Sequence, residues 1–298
     1  MSELVLPWLP AGRLVRIEGR GELFVRHHRH ADPAAPTVLL LHGWTASSDL
    51  QFFTAYEALA TRFSFVGIDH RGHGRGLRSP RQFRLEDSAD DAAAVVHELA
   101  TGPVVAVGYS MGGPISLHLA RRHPDLVRGL VVQATALEWT TTWRERTLWR
   151  VLPVVGSWLR TKGYRRYLNR AVPKIIGAGH PVEPYVPWLL SEMSRNDPFA
   201  MVDAGRALAV YDARPWAGTL GVPAASLITT RDRLVSVTKQ RALASALRAT
   251  VRELPADHFA AMSEPDQFAA LTVELVDVVL RAGQPISAAD VPPSPDAA

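Results

Sequence analysis

The chain is 298 residues long, 47% apolar and 21% charged, with 33 Lys and Arg against 29 Asp and Glu and a formal net charge of +4. That length suits one α/β domain with an insertion, and so small an excess of positive charge gives no argument for a nucleic-acid partner. The lack of cysteine excludes a disulfide framework and thiolate metal sites, no eighteen-residue apolar run predicts a membrane span, and Met1–Pro7 lacks the basic start and apolar length of a signal peptide, so the expected compartment is the cytoplasm.

In chain order, Arg13–Arg26 alternates around Gly19-Arg20-Gly21 and predicts an opening hairpin. Asp32-Pro33-Ala34-Ala35-Pro36 predicts a loop. Thr37–Leu41 is a continuous apolar run suited to a strand buried on both faces, and Phe63–Ile68 is a second. Leu85–Ala100 predicts a helix, with Leu85, Ala89, Ala92, Val96 and Leu99 near helical spacing. Pro103–Val107 predicts a buried strand, Gly113–His123 a helix with Ile115, Leu117 and Leu119 inward, and Val127–Val132 a further strand.

From about Leu137 to Trp216 the strand–helix alternation stops. This stretch is rich in Trp, Arg and Pro and reads as an inserted helical cap, with one well-marked helix: Asp197 as N-cap, Pro198 at the first helical position and a run to about Tyr211. The alternation resumes at Pro223. Leu227-Ile228-Thr229-Thr230 reads as a strand end and Val251–Leu254 as a short strand, while Gly283–Ala298, rich in Pro, Ala, Ser and Asp, is expected to be disordered. The expected division is core over 1–136, cap over 137–216, core again over 217–282, and a tail over 283–298.

The stretch with the most chemical content is Gly108-Tyr109-Ser110-Met111-Gly112, a G-x-S-x-G motif between a predicted strand and a predicted helix. A serine on so sharp a turn exposes its hydroxyl at the end of a sheet beside the positive end of a helix, as a nucleophile requires. Pro114 falls in the first helical turn, where no intrahelical bond is lost. A serine nucleophile needs a base, and the base an orienting carboxylate. Asp232 follows a predicted strand in the loop Arg231-Asp232-Arg233, and His258 follows the next strand in Pro255-Ala256-Asp257-His258-Phe259, giving the chain order Ser, Asp, His.

With Leu41-His42-Gly43-Trp44, Asp69-His70-Arg71-Gly72-His73-Gly74, the Ser110 turn, Asp232 and His258 taken together, the chain resembles serine hydrolases of the α/β-hydrolase fold superfamily from about Val15 to about Leu280. The resemblance implies an α/β fold: eight mostly parallel strands flanked by helices, and an active site built from loops at the strand C-termini. Family members often carry a serine soon after the glycine corresponding to Gly74, where this chain has Arg75-Gly76. An oxyanion hole needs two backbone N–H donors. One is expected from Met111, the residue after the nucleophile, and the resemblance places the other on Trp44, with His42 a structural residue holding that loop. Dehalogenases and epoxide hydrolases of this fold use an aspartate nucleophile, so the serine disfavours both.

Several residues compete for roles. His27, His28 and His30 resemble a metal cluster but have no acid at ligand spacing, so a solvated surface run is expected and no metal or cofactor is called for. Asp257 adjoins His258 and is badly placed to orient it, and Glu138 is the reserve acid. Trp139, Trp143, Trp149, Trp158, Tyr164, Tyr167 and Trp188 make the cap aromatic, and Trp139 and Trp143 are the candidate substrate contacts in an apolar acyl pocket. Nine Lys or Arg against one acid, Glu145, lie between Trp143 and Lys174, which fits either a solvated face or attraction to anionic substrates or a lipid surface. The expectation is a carboxylic ester hydrolase acting on a small-molecule ester. Thioesters, lactones, carbon–carbon bonds, acyl transfer and a slow-turnover receptor are the alternatives on the same residues.

Overall fold

The computed structural model describes residues 4–140, 145, 147 and 162–283. Its centre is an eight-stranded sheet: β1 (Gly12–Ile17), β2 (Gly21–His28), β3 (Thr37–Leu41), β4 (Ser64–Ile68), β5 (Val104–Tyr109), β6 (Val127–Gln133), β7 (Ala224–Thr229) and β8 (Thr250–Leu254), in spatial order 1-2-4-3-5-6-7-8. The β1–β2 hairpin and the β2–β4 pair are antiparallel and every other neighbour is parallel. The expected mostly parallel eight-stranded sheet is thus observed.

Period-two alternation divides the core into two layers. In β3 all five residues are buried. Leu39 and Leu41 face the layer with α2 (Leu85–Glu98) and α3 (Gly112–Arg122), while Val38 and Leu40 face the layer with α1 (Ser48–Ala60) and α9 (Pro265–Ala282). Central strands covered on both faces must be apolar throughout, which is why β3 and β5 read as unbroken runs. The register also aligns the C-terminal ends of the strands, with Leu41 opposite Gly108 and Gln133 opposite both Tyr109 and Leu227. Loops leaving β3, β5, β7 and β8 therefore open on one edge.

Between β6 and β7 the described residues carry α4 (Lys162–Ile176), α5 (Val186–Met193) and α6 (Pro198–Val210) and no strand. The α6 N-terminus is as expected: Asp197 accepts from the backbone N–H of Phe199 and Ala200, and Pro198 opens the helix. Arg166, Arg170 and Lys174 are exposed on successive turns of α4. After the insertion, α7 (Val237–Ala246) follows β7 and α8 (Ala260–Ser263) follows β8. The expectations for Trp143, Trp149, Trp158, the Tyr164 side chain and the tail over 284–298 lie outside the described residues.

One expectation is corrected. His27 and His28 are not a solvated run: both are half-buried in β2, paired with Val66 and Phe65 of β4, and the His28 ring stacks on Phe65 with centroids 5.4 Å apart. The cause is the antiparallel docking of β2 on β4, which local spacing could not reveal. Half-buried His30 lies just beyond β2 and accepts the Asp32 N–H at Nδ1, 3.1 Å away.

Candidate active site

Ser110 stands between β5 and α3 at φ 51°, in the left-handed region that a residue with a Cβ enters only when its surroundings hold it there. Three bonds do so: its N–H donates to Gln133 O at 2.9 Å, and its carbonyl accepts the Gly113 N–H at 2.9 Å and the Thr135 hydroxyl at 2.7 Å. The motif glycines have a steric reason. A Cβ at Gly108 would overlap the Gly112 carbonyl, and a Cβ at Gly112 would overlap the Leu41 carbonyl.

His258 Nε2 lies 3.0 Å from Ser110 Oγ, and His258 Nδ1 lies 2.7 Å from Asp232 Oδ2. The Asp232 carboxylate has further donors. Oδ1 accepts the N–H groups of Leu234 and Val235 at 2.8 and 2.9 Å, and Oδ2 accepts the Thr229 hydroxyl at 2.9 Å and Gln240 Nε2 at 3.3 Å. Burial alone would raise this carboxyl, but the hydrogen bond and charge of His258, with the Val235 and Thr229 donors, outweigh it and hold Asp232 below its ordinary value. An ionised Asp232 accepts a hydrogen bond from His258 Nδ1–H, which fixes the proton on Nδ1 and leaves Nε2 a lone pair facing the serine hydroxyl. The backbone of His258 is held as well, its carbonyl accepting from the Tyr109 hydroxyl at 2.9 Å.

The competing acids are engaged elsewhere. Asp257 accepts the Phe259 N–H at 2.8 Å and the Ser263 hydroxyl at 3.2 Å, closing the turn after His258. Glu138 faces Lys239 at 3.5 Å. Trp139 is half-buried, and its indole N–H has no hydrogen-bond partner among the described residues.

Peptide planarity gives the loop after β3 a direction. Gly43 O accepts His42 Nδ1–H at 2.8 Å and the Ala46 N–H at 3.3 Å, so the Trp44 N–H of the same peptide must point the opposite way. This peptide lies against the serine: a Cβ at Gly43 would stand 3.2 Å from Ser110 Cβ. The His42 tautomer follows from its other nitrogen, since Nε2 accepts the His70 N–H at 2.9 Å. Trp44 also packs its side chain toward the insertion, its indole N–H donating to Met201 O at 2.8 Å. Met111 is fully buried at the start of α3.

Beneath this loop lie charges and imidazoles that local reading did not connect. Arg75, at the position where family members often carry serine, donates its backbone N–H to Asp69 at 2.8 Å and bridges Asp49 of α1 to Glu192 of α5. Burial, with positive neighbours, lowers His70 to about 3 and His73 to about 4, and takes His42 well below its ordinary value. Burial, with the nearby Asp49 charge, raises Asp69 to about 7 despite the Arg75 and Ser48 donors.

These shifts predict acid sensitivity. Between pH 6.5 and 4 the unfolded chain binds three imidazole protons that the folded chain refuses, while the folded chain keeps one on Asp69 that the unfolded chain has released. On balance the unfolded chain binds more protons than the folded chain below pH 6.5, so stability falls as the pH drops through that range; Asp69 alone works the other way and makes stability decline slightly as the pH rises toward 7. A melting midpoint that drops steeply from pH 6.5 to 4.5 is the expected result, and a flat one contradicts it.

The family model of the alpha/beta hydrolase fold matches residues 36–151. A pimeloyl-[acyl-carrier protein] methyl ester esterase of Chromobacterium violaceum is 31% identical over 241 residues, covering 78% of this chain and 91% of the relative. An esterase from Exiguobacterium antarcticum superposes with a TM-score of 0.76 at 18% identity, over 90% of this chain and all of that one. An enol-lactonase from Burkholderia xenovorans LB400 gives 0.75 at 22%, over 89% and 100%.

Proposed function

Because the chain belongs to the alpha/beta hydrolase fold family, we propose that it is a serine hydrolase that cleaves carboxylic esters of apolar acyl groups through an acyl-enzyme. The observation that carries this reading is the unbroken hydrogen-bonded line from Ser110 Oγ through His258 to Asp232. Ser110 Oγ attacks the ester carbonyl carbon as its proton passes to His258 Nε2. The C–O bond then breaks, and that proton leaves on the alcohol. Water next attacks the acyl group, giving its proton to His258, and the acid departs as Ser110 regains a proton. Asp232 holds the imidazole in its tautomer and offsets its charge in both steps. The N–H groups of Trp44 and Met111 hold the developing oxyanion.

The insertion between β6 and β7 is read as a cap over the acyl pocket, within the division 1–136, 137–216 and 217–282. The Chromobacterium relative is by name a methyl ester esterase, which supports a small alcohol as leaving group. A chain-length series of p-nitrophenyl esters tests the reading: steady-state turnover with a preferred acyl length supports it, and product limited to one equivalent of protein favours a receptor instead.

Trp139 is the cap residue proposed to touch substrate, since it is half-buried at the start of the insertion and packs against the core layer that holds Met111 and Leu137. Trp139→Ala is expected to move the preferred acyl length upward by one or more methylenes, each worth about 1–3 kcal/mol of discrimination. An unchanged profile would mean that Trp139 only packs the cap against the core.

A further inference from the structure

We infer that Asn196, in the cap, is a positioning residue for the oxyanion loop, so that the cap helps to build the reacting centre as well as select the acyl group. The inference rests on the proposed roles of Ser110 and the Trp44 N–H. It starts from Thr45, the residue after that donor. Thr45 has φ 64°, a conformation that a β-branched side chain strongly disfavours, and its side chain is exposed, so packing does not impose it. Strain of this kind persists only where neighbouring groups over-determine it.

Asn196 supplies the constraint. Its Nδ2 donates to Thr45 O at 2.8 Å, and its Oδ1 accepts the Gly74 N–H at 2.8 Å, so one carboxamide joins the loop after β3 to the loop after β4. The chain around it is fastened to the same two loops. Asp197 N–H donates to Gly72 O at 2.9 Å, Met201 O accepts the Trp44 indole, and the Arg78 guanidinium donates to Gly74 O and Arg195 O, both at 2.7 Å. The Gly43–Trp44 peptide is thus held upstream by His42 through Gly43 O, and downstream by Asn196 through Thr45 O. Released from Asn196, Thr45 relaxes toward ordinary backbone angles and the adjoining peptides rotate, turning the Trp44 N–H away from the oxyanion. The pocket walls stay in place, so the loss falls on kcat.

The test compares Asn196→Ala, Asn196→Asp and the double variant Asn196→Ala/Thr45→Gly with wild type. Readouts are p-nitrophenyl acetate kinetics and the rate of Ser110 labelling by a fluorophosphonate. Asn196→Ala is expected to lower kcat about tenfold or more with KM little changed, and to slow labelling in parallel. Asn196→Asp keeps the acceptor for Gly74 but loses the donor to Thr45, and is expected to lose activity similarly, which covers the case of an alanine variant that folds poorly. Glycine adopts positive φ without strain, so Thr45→Gly is expected to restore at least threefold of the alanine variant's lost rate. A residue that merely docks the cap would show no such rescue. Variants within twofold of wild type, or a loss that Thr45→Gly leaves uncorrected, overturn the inference while leaving the serine hydrolase reading intact. A wild-type protein that neither turns over ester nor takes the label overturns both.

Discussion

Ser110→Ala is expected to lower kcat on p-nitrophenyl esters by about 10⁴-fold or more while the melting midpoint stays within a few degrees of wild type. The size of the loss follows from the proposed chemistry: without Oγ there is no acyl-enzyme, and only binding and the oxyanion donors remain. The fold survives because the missing atom carries little packing at the rim of the sheet. The bonds that hold the left-handed turn come from the backbone of residue 110, through Gln133, Gly113 and Thr135, and an alanine keeps them. Groups that act as a unit lose their effect together, so Ser110→Ala/His258→Ala is expected to be scarcely worse than either single variant. Losses that multiply would separate the two residues and contradict the proposed unit. Residual turnover within tenfold of wild type would place the nucleophile elsewhere.

Asp232→Asn is expected to cost about 10⁴-fold in kcat, and the surrounding donors give the reason. Oδ1 accepts two backbone N–H groups, from Leu234 and Val235, so an asparagine must place its oxygen there. Its NH2 group then faces His258 Nδ1. The imidazole responds by accepting at Nδ1 and carrying its proton on Nε2, where it can no longer take one from Ser110. The Thr229 hydroxyl, which donates to Oδ2 in the native arrangement, is left with Gln240 Oε1 as its acceptor, 3.3 Å away. Asp257→Asn is expected to change kcat little, because that carboxylate closes the turn to Phe259 and Ser263. A crippled Glu138→Gln beside a mild Asp232→Asn would move the orienting acid to the end of β6.

Much of the fold was legible because the relevant signals are local. Strands covered on both faces must be apolar throughout, and Thr37–Leu41 could not be read otherwise. The Asp197-Pro198 start of α6 likewise carries its capping chemistry within three residues. The helix α1 was not foreseen. It buries Ser48, Asp49 and Gln51 along with Phe52, Phe53, Tyr56 and Leu59, so no polar face marks its period. Ser47 at its N-cap was the available signal.

The candidate site divides in the same way. Ser110, Asp232 and His258 each follow a strand, and their order along the chain is enough to single them out as candidates. The residues around them left no such trace. Thr229 and Gln240 beneath Asp232, Thr135 on the Ser110 carbonyl and Asn196 on Thr45 act through side-chain hydrogen bonds, three of them across 8, 25 and 151 residues. Periodicity and motif spacing do not encode such contacts. The half-buried state of His27 and His28 was hidden for a related reason, since it depends on which strand docks beside β2.

The most direct test of the account is the site of covalent labelling. Native protein is treated with a fluorophosphonate, its intact mass is measured, and the adduct is located by peptide mapping. The account predicts one adduct per chain on Ser110, formed at neutral pH and lost in Ser110→Ala and Asp232→Asn. An adduct on another residue, or a native protein that takes no label, contradicts it.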